Sequence, residues 1–421
     1  MLKIIKAFNF RSFDKIEFNL WEKNNIAKKI AFIYGENGSG KTNLLSILTF
    51  FQNTLNTMIF QDFLLSQGQD YLKKNPLNQL QNKHPFFIFS LNDLIRENKL
   101  IGSNDKMEII LEFIIDKMQG LYHMVFKDDK IVYEELKFPH LKRKVTFFSI
   151  NIHHDSCYLN PNIFFSKKYY FQAKELVKKF FGNHSFFSIL NREIYTKNVQ
   201  FLKESLHEKL INILDKFNNI IIYQNEVTPK MFKMKNEEYL PFLFEGAINI
   251  NSIDKIYSTE ALLNEYLNPL FSDIKGGFYY QEKNGNLINY KLVIRKMVAG
   301  KIREIPYDFE ATGIRKMLSL IPLLHFAIKG KTVILDEADN DFHELLFEHI
   351  IKGIKEKVCG QLIVTTHNTK LLDVLYPYEI YIIKTDIDGR SEVFCLDEFK
   401  DDFKNIREKY LKGLYYGIPI L

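Results

Sequence analysis

The sequence predicts an α/β protein with a mixed sheet, an antiparallel β lobe and an inserted helical subdomain. Three observations lead there. A short apolar run, KIAFIYG, feeds a glycine-rich loop at Gly35–Thr42. Residues 107–150 alternate apolar and polar positions, with turns at DKMQG and KDDK, and a period of two marks antiparallel strands. Beyond residue 310 the apolar runs TVILDE, QLIVTTH and EIYIIKT alternate with helical stretches, the pattern of a parallel sheet.

Each element follows from its local pattern. Residues 2–20 read as a strand, a turn at Arg11–Ser12 and a second strand. KIAFIYG is apolar almost throughout, as a strand covered on both faces must be, and Thr42–Thr54 reads as the helix after it. From about 170 to 218 the period becomes helical. Leu202, Leu206, Leu210, Ile213, Leu214 and Phe217 share one face of an amphipathic helix, which either faces the core or pairs in a coiled coil. FYYQEKNGNLINYKLVI reads as a hairpin turning at Asn284–Gly285. These changes of period place an N-terminal lobe at 1–160, a mainly helical insertion at 161–270 and a C-terminal lobe at 271–421.

Composition narrows the class. Of the 421 residues 46% are hydrophobic, enough for a sizeable core. The formal charge is +6 and comes mostly from lysine, which fits either a nucleic-acid partner or an AT-rich coding bias. Cys157, Cys359 and Cys395 lie far apart without a CxxC pair, so neither a disulfide framework nor a zinc site is expected. The N-terminus is broken by Lys3, Lys6, Arg11 and Asp14, unlike a signal peptide. No run of about 18 uncharged apolar residues occurs. A cytoplasmic protein without a membrane span is the expectation.

Four stretches carry chemistry. Gly35, Gly40, Lys41 and Thr42 satisfy G-x-x-x-x-G-K-[ST] in GENGSGKT. The backbone of Glu36, Asn37, Gly38, Ser39 and Gly40 would turn its N–H groups around phosphate oxygens at a helix N-terminus. Lys41 would reach the β- and γ-phosphates and Thr42 a Mg²⁺ ion. In TVILDEADNDFH an apolar strand delivers two acids: Asp336 to hold the metal and Glu337 to orient or deprotonate the attacking water. QLIVTTHN ends a third strand at His367, either a γ-phosphate contact at the sheet's carboxyl edge or a surface histidine. Thr312 and Gly313 precede an amphipathic helix and offer either a second anion-binding end or an ordinary N-cap.

Together these stretches resemble the ABC-type ATPases of the SMC/RecF class. NFRSFDKIEF is similar to that class's first hairpin, and GENGSGKTNLL to its P-loop, including Asn43. ATGIRK resembles a degenerate signature motif with threonine in place of serine, ILDEADNDFH a Walker B and D-loop, and TTHN a histidine switch. About 270 residues separate P-loop and signature, as in the split arrangement of that class. The resemblance implies an ABC/SMC-type P-loop ATPase head that binds ATP and Mg²⁺, with Arg11 near the phosphates. Thr312 and Gly313 would act in trans on a partner's nucleotide. None of Gln61, Gln79 or Gln81 ends an obvious strand, so a Q-loop glutamine is not assigned.

A narrower resemblance is to the bacterial AAA-type ATPases that include AbiL and RloA. It rests on EIILEFIIDKMQGLYHMVFKDDKIVYEEL, DEADNDFHELL and the ending IREKYLKGLYYGIPIL. Arg407, Tyr410, Leu411, Gly413, Gly417 and Pro419 fit the family's C-terminal pattern, and Tyr416 departs from it. AriA, the ATPase of the PARIS anti-phage system, is a related candidate. This resemblance implies a slow, regulatory ATPase that forms a homodimer or higher homo-oligomer around ATP and controls a separate effector in antiviral defence, a TOPRIM or RloB-like nuclease or toxin. The 54 residues after His367 are too few for a TOPRIM fold, and TDIDGR reads as a hairpin turn. The alternative is a repair ATPase that clamps DNA directly.

Overall fold

The computed structural model describes residues 1–22, 26–65, 90–140, 143–197, 199–224, 238–340, 343–399 and 401–417. They form two compact units, one built from the described residues up to 222 and from 375 onward, the other from those between 223 and 374.

The first unit begins with strands β1 (Leu2–Phe10) and β2 (Phe13–Asn19), paired antiparallel through a turn in which Arg11 takes a φ of 49°. A short ladder, β3 (Trp21–Glu22) with β4 (Ile26–Ala27), precedes the buried strand β5 (Ile30–Tyr34). Helices α1 (Lys41–Thr54), α2 (Thr57–Phe63) and α3 (Leu91–Asn98) follow. Next come β6 (Met107–Ile115), β7 (Met118–Lys127), β8 (Lys130–His140), β9 (Arg143–Asn151) and β10 (Ser156–Leu159). With β1 and β2 they make a seven-stranded antiparallel sheet in the order β10-β9-β8-β7-β6-β1-β2. Along β6 burial strictly alternates, so Met107, Ile109, Leu111, Phe113 and Ile115 all point to the core.

Helices α4 (Lys167–Phe180), α5 (Phe186–Lys197), α6 (Val199–Ser205) and α7 (Glu208–Asn218) pack into the same core. The rings of Phe51, Phe113, Tyr122 and Phe187 all lie within 6.0 Å of Phe217. The aromatic side chains of these helices complete the core under the antiparallel sheet. One expectation changes: the apolar stripe from Leu202 to Phe217 is two helices, since His207 caps α7 by accepting from the Lys209 N–H and Leu206 bridges to Phe164. Strand β11 (Ile221–Tyr223) comes next.

The second unit has an antiparallel sheet of β12 (Glu245–Asn249), β13 (Ile274–Asn284), β14 (Leu287–Val298) and β15 (Lys301–Pro306). Helix α8 (Asp254–Leu270) packs on it, and Asn264 bonds both the N–H and the carbonyl of Gly277. The hairpin loop is Gly285–Asn286, one residue later than expected, since Asn284 pairs with Leu287. Helix α9 (Thr312–Ile328), buried from Lys316 to Ala327, leads to β16 (Thr332–Leu335). Helix α10 (Glu344–Ile354) leads to β17 (Gln361–Thr365), which runs parallel to β16.

Only 3-10 turns, Thr369–Asp373 and Pro377–Glu379, stand where a third helix was expected. The chain then rejoins the first unit with β18 (Ile380–Thr385), parallel to β5, and β19 (Ser391–Cys395), antiparallel to β18. TDIDGR is the turn between them: Asp386 Oδ1 accepts from the N–H groups of Asp388 and Arg390. Helix α11 (Ile406–Leu411) closes the described chain. No described helix is long and apolar enough to cross a membrane.

One buried acid ties the helices to the sheet. Glu134 on β8 accepts from Tyr122 Oη and from the Phe186 N–H at the start of α5, each at 2.6 Å. Burial raises its carboxyl to about 7, above an unfolded value of about 4.3. The folded chain thus holds this proton more tightly than the unfolded chain. The resulting stability is full below the unfolded value and declines as pH rises towards 7. Between pH 5.5 and 8 wild-type protein should lose about 2 kcal/mol of unfolding free energy through this group. Glu134→Gln, compared by urea denaturation at both pH values, should lack that loss; identical pH dependence in the two proteins would contradict the assignment.

Candidate nucleotide site

The glycine-rich loop leaves β5 through a position that admits no side chain. A Cβ on Gly35 would lie 2.6 Å from the Ile383 carbonyl oxygen and 2.7 Å from Ser39 Oγ. Gly38 and Gly40 take φ values of 85° and 104°, which residues with a Cβ rarely adopt. A Cβ on Gly40 would also meet the Phe13 ring at 2.8 Å. The loop's other side is held by the β18–β19 hairpin, where Ser391 Oγ donates to the Ser39 carbonyl at 3.2 Å. Gly40 is the N-cap of α1, and no side chain caps that end. Its N–H groups and dipole there favour an anion.

Lys41, the first residue of α1, is 6% exposed, and its Nζ donates to the carbonyls of Gly35 at 2.8 Å and Glu36 at 2.9 Å. Ser39 Oγ is buried without a hydrogen-bond partner, an orphaned group that costs stability unless a ligand engages it. The cradle, the cation and the orphan hydroxyl fit a phosphate chain. Thr42 is exposed on the first turn, with a hydroxyl suited to a hard cation.

Arg11 lies along the first turns of α1. Its Nη1 donates to Ser46 Oγ at 2.7 Å and Asn43 Oδ1 at 3.3 Å, and its Nε to Asn98 Oδ1 at 2.8 Å. Asn43 in turn donates to Ser12 Oγ. The β1–β2 turn is thereby stitched to the helix that carries Lys41. Gln61 pairs with His184 Nε2, two residues ahead of α5, while Gln79, Gln81 and Pro419 lie outside the described residues, as do positions 341 and 342 of the D-loop-like stretch.

The acidic stretch belongs to the second unit. Asp336 follows β16 and is 6% exposed. Thr365, the last residue of β17, donates its hydroxyl to Asp336 Oδ1 at 2.5 Å and accepts from the Glu337 N–H at 2.8 Å. Glu337 takes a left-handed φ of 48° and accepts from Asn340 Nδ2. The two carboxylates thus have different partners, Thr365 for Asp336 and Asn340 for Glu337. His367 is exposed two residues beyond the strand, which ends at Thr365 and not at the histidine, and its N–H donates to Asp339 Oδ2 at 3.2 Å. At α9 the cap position is Ala311, so Thr312 is the first helical residue and the ordinary N-cap reading of it fails. Thr312 and Gly313 open a helix end that no side chain caps.

Sequence reading missed Thr365, Asn340, Ser46 and Asn98. Each is an ordinary polar residue in a strand, helix or turn, and only the partner's position reveals its part.

A buried strand, a glycine cradle and a lysine-headed helix define a P-loop nucleotide-binding protein. Residues 30–373 match the family described as "AAA domain, putative AbiEii toxin, Type IV TA system", and residues 5–53 match one described as "AAA domain". The chain belongs to this AAA family. No curated protein matches the sequence. Among solved structures it is similar to an SMC head bound to the C-terminal winged-helix domain of ScpA, at 13% identity and a TM-score of 0.47, covering 94% of this chain and 98% of that one. It is also similar to the SMC head domain of Thermotoga maritima, at 15% identity and a TM-score of 0.40 over the same shares.

Thr365→Val removes the hydroxyl shared by Asp336 and the Glu337 N–H. It should lower unfolding free energy by about 1–3 kcal/mol, whereas Thr365→Ser should retain most of it. Chemical denaturation of the two variants checks this, and equal stabilities would refute the role.

Proposed function

We propose that this chain binds and hydrolyses ATP with Mg²⁺, and that its nucleotide state sets an assembly state. The observation that carries this reading is the loop itself: Lys41 Nζ rests on the loop's own carbonyls beside the orphaned Ser39 hydroxyl. A phosphate chain would supply the partner that the Ser39 hydroxyl lacks and give Lys41 charged acceptors in place of carbonyls. Lys41 would then turn from Gly35 and Glu36 to β- and γ-phosphate oxygens, and Gly35 through Gly40 would surround them with N–H groups.

Thr42 and Asp336 would hold the metal, which when bound neutralises charge on the phosphates. Glu337 would position the attacking water and take its proton, held in orientation by Asn340. His367 would contact the γ-phosphate, and Arg11 and Asn43 would support the loop from the β1–β2 turn. Thr312 and Gly313 would close over the nucleotide of a second copy, giving a homodimer or a higher homo-oligomer.

The family description and the AbiL/RloA-like motifs support a cytoplasmic role in prokaryotic antiviral defence. There the ATP-bound assembly would hold or release a separately encoded nuclease or toxin. Turnover would be slow, since the output is an assembly and not a product.

Lys41→Ala should abolish ATP binding by calorimetry, and unchanged affinity would sink the phosphate assignment. Glu337→Gln should retain ATP and accumulate as a dimer. Light scattering that finds only monomer with ATP and Mg²⁺ present would contradict closure around the nucleotide.

A further inference from the structure

Helix α4 turns Tyr169, Ala173 and Val177 to the core. Its opposite face carries Lys167, Lys168, Lys178 and Lys179 around Phe171, with Glu175 as the single acid. Phe171 is 56% exposed, and Phe165, just ahead of the Ser166 cap, is 63% exposed. Among the described residues Lys167, Lys168 and Lys178 form no ion pair.

The rules of helix stability oppose this arrangement. Lys167 and Lys168 sit at the positive end of the helix dipole, and the first turn holds no acid. Lys174 and Lys178 are like charges one turn apart. Phe171 and Phe165 stay more than half exposed beside them, although Phe171 meets the Tyr170 ring and Phe165 the His207 ring. Lysines at the unfavourable end of the dipole and largely exposed rings together mark a surface shaped by something outside the chain.

The residue types indicate what that is. Lysines neutralise phosphates, and exposed aromatic rings amid lysines give bases a stacking platform. In a duplex the base faces are already stacked on one another, so a phenylalanine there gains nothing from them. A single strand offers both groups at once. From Lys167 to Lys178 the helix rises about 16 Å, enough to pass several phosphates of one strand.

We propose that the outer face of α4 binds single-stranded nucleic acid, its lysines on the phosphates and Phe171 and Phe165 stacked on bases. This surface lies apart from the glycine-rich loop, and its binding does not depend on whether the chain hydrolyses ATP.

The test is fluorescence anisotropy without nucleotide, using labelled 20-mers of oligo-dT and oligo-U, a 20-base-pair duplex, and vesicles with and without anionic lipid. Single strands should bind, and their affinity should fall about tenfold or more between 50 and 200 mM salt. The triple variant Lys167→Glu/Lys168→Glu/Lys178→Glu should lose at least tenfold in affinity. Phe171→Ala should lose about fivefold to 100-fold for single strands and leave the weaker duplex binding unchanged. Whether DNA or RNA binds more tightly names the natural strand. These positions are exposed, and an unchanged melting temperature confirms that each variant folds. Affinity indifferent to both variants, a duplex bound as tightly as a single strand, or lysine-dependent capture by anionic vesicles in place of oligonucleotides would each overturn the proposal. None of those results bears on the ATPase reading, which is measured separately.

Discussion

The backbone at Gly35 and Gly40 has no room to be anything else. Ile383 presses on the first glycine and the Phe13 ring on the second, so the loop is clamped between the C-terminal β18–β19 hairpin and the N-terminal β1–β2 hairpin. Because φ at Gly38 and Gly40 is positive, the chain turns tightly into α1, whose start no side chain caps. That one constraint shapes the loop, places Lys41 over its carbonyls and leaves Ser39 Oγ without a protein hydrogen-bond partner. A cradle built this way is preorganised, so a ligand does not have to order it.

The same clamp explains why residues far apart in the chain serve one loop. Tyr34, immediately before Gly35, meets Tyr410 edge to face at 5.6 Å, and Tyr410 Oη donates to the Gly417 carbonyl. Burial, with the Glu36 carboxylate nearby, raises the Tyr410 phenol to about 12. Gly417 has a φ of 76°, and a Cβ there would press on Ile382 and Tyr410. The C-terminal pattern of tyrosine and glycine is therefore a brace behind the strand that feeds the loop. In the second unit Thr365 plays a comparable part, since a single hydroxyl fixes both acids at the end of β16.

Much of this was legible in the sequence because glycine, lysine and paired acids after apolar strands have few other uses. Strand β6 was the most legible of the antiparallel sheet because its burial alternates residue by residue. What escaped was decided by tertiary contact. The stripe from Leu202 to Phe217 has one helical period, yet the bridge between Leu206 and Phe164 and the His207 cap divide it. The helices after residue 161 read as an insertion because the hydrophobic period turns from that of strands to that of helices there. Their place in the core rests on Phe186, Phe187 and Phe217 meeting the rings of Phe148, Tyr122 and Phe113, all on strands of the antiparallel sheet. Thr312 looked like a cap, but the cap is Ala311, and a residue without a side-chain acceptor gives no signal in a sequence.

The central claim is that the loop of one subunit is completed by Thr312 and Gly313 of another. A mixing experiment measures this most directly: Lys41→Ala protein and Gly313→Asp protein, each expected to be inactive in ATP hydrolysis by itself, are combined at equal concentration. In a mixed dimer one site unites an intact loop with an intact Thr312–Gly313 end, so hydrolysis should return on mixing. Activity that stays absent while the mixed dimer forms, or a Gly313→Asp protein that hydrolyses ATP normally by itself, would contradict a shared site.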